Sequence, residues 1–299
     1  MTIIVLYHSH VWFTRKWNLG DVDEELGPEN ERCINLLKSS YLDPPSRLSY
    51  NLSTDPLYIT MKNGYTWSYI DYFIRLIFQD KKNGVFVEAG ALDGEFLSNT
   101  LRLEMEQNWT GLIIEPDPSS YRELLRKNRK SWSSNSCISN TNYSKRTTFL
   151  SREPAIETSN KWAYKGATNE LGITLPPVFN SFLNKTKATA IQVYCFPFYT
   201  YLLALNMTNI DLVSLDLQGS EMEVLRSLPF QKIKVKMFII ETASEKTFDL
   251  NLEKFLNKKG YQMIACDEEP NYIYILKEAF PQYSFPKISE CNLTFKTKN

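Results

Sequence analysis

The stretch Gly84-Val85-Phe86-Val87-Glu88-Ala89-Gly90-Ala91-Leu92-Asp93-Gly94 constrains the fold more than any other. An apolar, β-prone run ends in a carboxylate and meets small residues and glycines. Buried parallel strands are nearly continuous in apolar residues, so this reads as a central strand entering a tight turn. Gly90 and Gly94 carry no Cβ and let backbone approach a ligand closely. Taken alone, the segment is equally an ordinary strand-to-helix turn. The deciding context is the next run, Thr110-Gly111-Leu112-Ile113-Ile114-Glu115, which is again apolar and again ends in an acid. An acid in that place binds ribose hydroxyls in open α/β sheets. Pro116-Asp117-Pro118 then starts a helix, with Asp117 as N-cap and Pro118 in the first turn. The spacing G-x-G-x-x-G is absent, so the rim suits a single nucleoside better than NAD.

Two more strands end in acids, Ile210 to Asp216 and Lys236 to Glu241. Four carboxylates on one rim (Glu88, Glu115, Asp216, Glu241) are costly to bury unless they are paired or bind something. Gln262 to Cys266 and Tyr272 to Leu276 read as a terminal hairpin. Helices are expected over Pro28 to Leu42, Tyr65 to Gln79, Phe96 to Glu106, Pro118 to Arg129, Phe198 to Leu205, Glu221 to Ser227 and Leu250 to Lys259. Trp67, Ile70, Ile74 and Ile77 form a core stripe, and Tyr121, Leu124 and Leu125 point inward. The basic end, Arg126 to Lys130, reads as a solvated helix terminus that complements the helix dipole, the sharper alternative being a phosphate site.

Ser136 to Ile138 is a short strand and Ile191 to Phe196 another. Between them, residues 139–190 are rich in Asn, Thr, Ser, Lys and Pro. They read as an irregular insertion with a ribbon near Thr148, of the kind that serves as a lid or partner surface. Trp12, Phe13 and Trp17 read as part of a poorly ordered arm, the sharper alternative being a docking segment. Alternating strands and helices imply an α/β fold: a mixed seven-strand Rossmann-like sheet covered on both faces, with a helical N-terminal extension. The expected parts are an arm and helix (1–42), the main domain (43–277) and a C-terminal tail (278–299).

Charge narrows the function. Lys plus Arg equals Asp plus Glu, 34 against 34, so nothing draws the chain to nucleic acid. Only 2 histidines are present, both before residue 11, which argues against a histidine-based centre. No Cys/His run has zinc spacing. The five cysteines fit a reduced protein, one bridge or two. Cys137 and Cys195 bracket the insertion; a bridge would pin both its ends, and the alternative is two buried thiols. Asn-x-Ser/Thr sequons stand at Asn51, Asn108, Asn142, Asn184, Asn206 and Asn292. Asn51, Asn142, Asn184 and Asn292 are the glycosylation candidates. No apolar run reaches the ~18 residues of a membrane helix. Either the protein is soluble, or a membrane anchor lies upstream and is not present in this chain.

Three motifs carry a resemblance. Val87 to Gly94, Ile114 to Pro118 and Ser214-Leu215-Asp216-Leu217-Gln218-Gly219-Ser220-Glu221 resemble those of the FkbM-type methyltransferase domain. Gly90 to Glu95, Ser98 to Leu101, Lys127 to Trp132 and Cys195-Phe196-Pro197 resemble its Star-like branch. The resemblance spans roughly Asp43 to Lys277. It implies an S-adenosylmethionine-dependent methyltransferase-like fold, with the cofactor on Glu88, Gly90, Ala91, Asp93, Gly94 and Glu115, and with Asp216 and Glu221 near the methyl acceptor. Two positions depart from the family pattern: Leu92 stands where Asn is usual, and Gln218 where a carboxylate is usual. Glutamine cannot act as a carboxylate base. Star-like proteins assist the traffic of membrane-tethered EGF-receptor ligands through ER, Golgi and endosome, which implies a lumenal location. The alternatives are an active O-methyltransferase and a plain cytoplasmic nucleoside-binding protein.

Overall fold

The computed structural model describes residues 24–55, 58, 65–156, 158, 161–173, 175, 183–242, 249–267, 271–288 and 291. The arm with Trp12, Phe13 and Trp17, and the sequon at Asn292, lie outside them. The chain opens on α1 (Glu31–Ser40), whose N-cap Asn30 accepts from the amides of Arg32 and Cys33. The elements β1 (Leu42–Asp43), α2 (Ser68–Phe78) and β2 (Val85–Ala89) follow. Next come α3 (Leu101–Gln107), β3 (Thr110–Ile114), α4 (Pro118–Arg126), β4 (Trp132–Ser134) and β5 (Cys137–Ile138). The former insertion holds β6 (Lys145–Pro154), α5 (Lys161–Lys165), β7 (Asn169–Glu170) and the start of β8 (Thr186–Phe196). The chain continues through α6 (Phe198–Ala204), β9 (Asn209–Asp216), α7 (Glu221–Ser227) and β10 (Lys234–Glu241). It ends in α8 (Leu250–Lys258), β11 (Tyr261–Cys266) and β12 (Asn271–Leu276).

The main sheet runs β1-β4-β3-β2-β9-β10-β12-β11. Strands β4, β3, β2, β9 and β10 are parallel, and β12 and β11 add an antiparallel end. The seven expected strands become eight because Leu42–Asp43 adds a short antiparallel edge against β4. Successive strand residues face opposite sides, and the core divides accordingly. Val87, Ala89, Leu112, Ile114, Val213 and Leu215 pack on the side of α1 and α6. Phe86, Ile113, Leu212, Met237 and Ile239 pack on the side of α2 and Trp109. The terminal segment is tied back, with Cys291 bonded to Cys266 and Phe280 buried in the second of these clusters.

The insertion is not irregular. β6 and β8 pair antiparallel from Lys145↔Cys195 to Pro154↔Thr186, and β5 and β7 flank them in a four-stranded second sheet. The ribbon expected near Thr148 and the strand expected at Ile191 to Phe196 are parts of it; polar composition hid its extent, because much of β8 is exposed and a solvated ribbon needs little apolar alternation. The short strand expected at Ser136 to Ile138 forms as β5 (Cys137–Ile138) but belongs to the second sheet; Trp132–Ser134, not expected as a strand, takes the place beside β3. Leu125 and Trp67 are surface residues, each 42% exposed, contrary to their expected inward positions.

The helix expected from Phe96 begins only at Leu101. Asp93 Oδ1 accepts from the amides of Glu95 and Phe96, and Leu97 takes a left-handed φ of 55°. The basic end of α4 is not a solvated terminus either. Lys127 reaches Glu95 at 2.6 Å and Asp93 at 3.3 Å. Arg129 reaches Glu104 at 3.1 Å, Thr100 Oγ1 at 3.0 Å and the Gly94 carbonyl at 2.5 Å. These cations neutralise buried carboxylates and stitch the turn after β2 to α4. That leaves no phosphate site at Lys127 or Arg129.

Candidate functional site

The rim forms where β2 and β3 end side by side. Gly90 sits there with φ of 85°, and its amide and that of Ala91 both donate to the Ile114 carbonyl. A Cβ on Gly90 would stand 2.2 Å from the Asp216 carbonyl oxygen of β9. Only glycine allows β9 to approach this closely. Gly90→Ala is expected to cost about 1–3 kcal/mol through overpacking and to open the rim. Chemical denaturation, together with ligand titration, checks both effects.

Glu115 follows β3 directly. Its carboxylate accepts from the amides of Leu92 and Asp117, each at 2.8 Å, and it lines the pocket above the rim. Burial, and then the neighbouring Asp117 carboxylate, push its pKa up to about 8 against the pull of those two donors. Leu92 adopts φ of 48°, a conformation that Asn tolerates and Leu does not favour, at a cost of about 1 kcal/mol.

On the far side of Gly90, Gln218 donates to Asp216 Oδ1 at 2.6 Å. Burial, then the charges of Glu241 and Glu221, hold the Asp216 pKa well above the carboxylate range. Glu221 accepts from the amides of Leu217, at 2.7 Å, and Gly219, at 3.2 Å. Burial raises its pKa to about 7. Its carboxylate is spent on holding the β9–α7 turn.

Gly90, Glu115 and Asp216 therefore share one pocket, with about 600 Å³ of empty space when its open mouth is included. The remaining candidates support that rim without lining it. Glu88 accepts from Ser98 Oγ at 2.8 Å, the Asn99 amide at 2.7 Å and Thr100 Oγ1 at 2.5 Å. Asp93 takes the Tyr58 hydroxyl at 2.7 Å besides its turn amides. Ala91 packs in the core, and the Gly94 carbonyl is held by Arg129. Glu221 lines a separate, more open depression with Glu223, Thr242 and Asp249.

Sequence reading missed the opposite wall. Phe149, Lys165, Thr168 and Glu170, all from the second sheet and its loops, complete the pocket. Lys165 Nζ donates to Ser119 Oγ at 2.6 Å and pairs with Asp117 at 3.4 Å and Glu153 at 2.9 Å. Those contacts hold the second sheet to the start of α4. Hydrogen bonds from Ser119 and Ser151, with the Lys165 charge, overcome the burial penalty on Asp117 and lower its pKa. The Cys137–Cys195 bridge forms, with Cα atoms 4.3 Å apart, and Cys137 lines the pocket. Asn51, Asn142 and Asn184 are exposed. Among the described residues there is no cluster able to hold a metal ion and no helix long and apolar enough to cross a membrane.

A parallel sheet with an antiparallel end, a glycine turn after its central strand and an acid after the neighbouring strand define a methyltransferase-type fold. The profile of the methyltransferase FkbM domain matches residues 88–263, more than half of the chain, and the chain belongs to that family. Among solved structures, one that matches is the methyltransferase FkbM from Methylobacillus flagellatus KT. It shares 13% identity with a TM-score of 0.42, over 82% of this chain. The match spans 58% of that protein's length. No curated protein gives a significant match.

The pocket residues fit S-adenosylmethionine. Gly90 lines the pocket with backbone alone, the Glu115 carboxyl can accept a ribose hydroxyl, and Asp216, held toward its protonated form, would meet a cationic sulfur or ammonium group on releasing that proton. When bound, that cofactor supplies an electrophilic methyl group.

Proposed function

We propose that this chain is a Star-like member of the FkbM family that works in the secretory lumen. There it assists the passage of a membrane-tethered EGF-receptor ligand through ER, Golgi and endosome, and its rim pocket takes S-adenosylmethionine. The observation that carries this reading over an enzymatic one is the state of the acids beside Gly90. Asp216 is tied to Gln218 and held toward its protonated form, and Glu221 is engaged by backbone amides. A general base must be ionised near the working pH. Two disulfides and the exposed sequons support an oxidising compartment. The traffic role itself rests on the Star-like motifs.

The second reading is an active O-methyltransferase. Its support is the pocket shared by Gly90, Glu115 and Asp216. Calorimetric titration of the protein with S-adenosylmethionine should give saturable binding. Glu115→Ala should weaken it by about 0.5–1.5 kcal/mol, the range for a neutral hydrogen bond, because burial keeps this carboxyl largely protonated at neutral pH. Delivery of a co-expressed membrane-tethered EGF-receptor ligand to the cell surface separates the two readings. If Asp216→Ala leaves delivery intact, the non-enzymatic role stands. If delivery falls together with methyl transfer to an acceptor, the enzyme reading replaces it.

A further inference from the structure

We propose that the second sheet supplies the nucleobase wall of the rim pocket and that the ring of Phe149 is its platform. This deepens the reading that the pocket takes an adenosyl ligand, and rests on it. Strand order orients the pocket. Moving from β9 across β2 to β3 in the main sheet, and then onto β5 of the second sheet, the wall passes from Asp216, Gln218 and Ser220, through Gly90 and Glu115, to Pro116, Cys137 and Ile138. One end is acidic; the other is apolar along Pro116, Cys137 and Ile138, with Lys165, Thr168 and Glu170 beside it. With ribose hydroxyls on Glu115, a cationic amino-acid portion falls to the Asp216 end and the base to the apolar end.

Phe149 lines that pocket from the inserted sheet. β6 fixes it in place, opposite Ile191 of β8 and Glu170 of β7. It is 8% exposed and packs with Cys137, Val193 and Cys195, so the disulfide backs the platform. Bases stack on aromatic rings because every base has a π-face, and the loss on removing the ring is typically several-fold to a hundredfold.

The test compares wild-type protein with Phe149→Leu, which keeps apolar bulk, and Phe149→Tyr, which keeps the ring. Adenosine, S-adenosylhomocysteine and S-methylmethionine, which carries the sulfonium and amino acid without a nucleoside, are titrated by calorimetry. Phe149→Leu should weaken both nucleosides about tenfold, Phe149→Tyr should bind within about twofold of wild type, and S-methylmethionine should bind all three proteins alike. Hydrogen exchange on wild-type protein provides a reading independent of the variants' folding: adenosine should protect Lys145–Pro154. Equal nucleoside affinity in Phe149→Leu, or protection confined to β2 and β3, would overturn the base wall while leaving cofactor binding intact. Absence of binding by any nucleoside at millimolar concentration would overturn the cofactor reading, and this proposal with it.

Discussion

Raising the pH from 5 to 8 should destabilise the folded chain by several kcal/mol. Glu115 is one source whose size can be bounded. Its pKa lies at about 8 in the folded protein and near 4.5 in the unfolded chain. Between those values the folded state holds a proton that the unfolded state has released. Stability from this group is full below the unfolded pKa and is lost as pH rises through the folded one. At 1.36 kcal/mol per unit, the upper bound is about 5 kcal/mol. Glu221, raised to about 7, and Asp216 act in the same direction. Carboxylates with lowered pKa, namely Glu104, Asp117 and Asp211, lose their contribution only on the acid side, so they leave this window clear. Urea unfolding at pH 5, 6, 7 and 8 measures the slope. Glu115→Gln should flatten it, even though the amide loses one of the two backbone bonds. A stability profile that is level or rising across the window would contradict the buried protonated acid.

Removing the Cys137–Cys195 bridge should cost about 4 kcal/mol. The sequence separation is 58, and closing a loop of that size in the unfolded chain accounts for this figure on the chain-entropy estimate. The bond joins directly paired residues of β5 and β8, so it also holds the joint between these two strands of the second sheet, behind the pocket wall. Cys137→Ala/Cys195→Ala should therefore lower stability and loosen the pocket wall together. The comparison is Cys266→Ala/Cys291→Ala, which opens a shorter loop, with separation 25, away from the pocket. It should cost about 3.5 kcal/mol and leave ligand affinity unchanged. Equal loss of affinity in both double variants would show that the joint has no special hold on the site. Reduction without unfolding of either pair would remove the stabilising role.

How much was legible in the sequence follows from what each signal depends on. Buried parallel strands must be apolar on both faces, so Val85–Ala89, Thr110–Ile114 and Asn209–Asp216 declared themselves, and so did the acids and glycine at their ends. The Cys137–Cys195 pair was visible as two cysteines bracketing a polar stretch. The ribbon of β6 and β8 was legible only near Thr148 and over Ile191 to Phe196, because its stability comes from cross-strand pairing of residues far apart in the chain, from Pro154↔Thr186 to Lys145↔Cys195, and leaves little trace in local composition. The same blindness hid Phe149 and Lys165. Side-chain direction was equally out of reach. Glu88 and Glu115 occupy matching places in two strand-plus-acid motifs, yet one secures Ser98 to Thr100 and the other faces the pocket. The difference lies in which neighbouring loop offers donors, and that is decided only when the strands are assembled.

The strand order also sets a timetable for synthesis. β2 lies at the centre of the main sheet with β3 on one side, and β3 and β4 follow it closely in the chain. On its other side it waits for β9, since Val87 pairs with Val213. At ribosomal speed that partner emerges on the order of ten seconds later, after the whole second sheet has been made. Until then the apolar edge of β2 stands open beside Gly90. The half-made sheet is thus the form in which this protein most needs a chaperone, and slowing translation between β4 and β9 should raise its aggregation more than slowing it after β10.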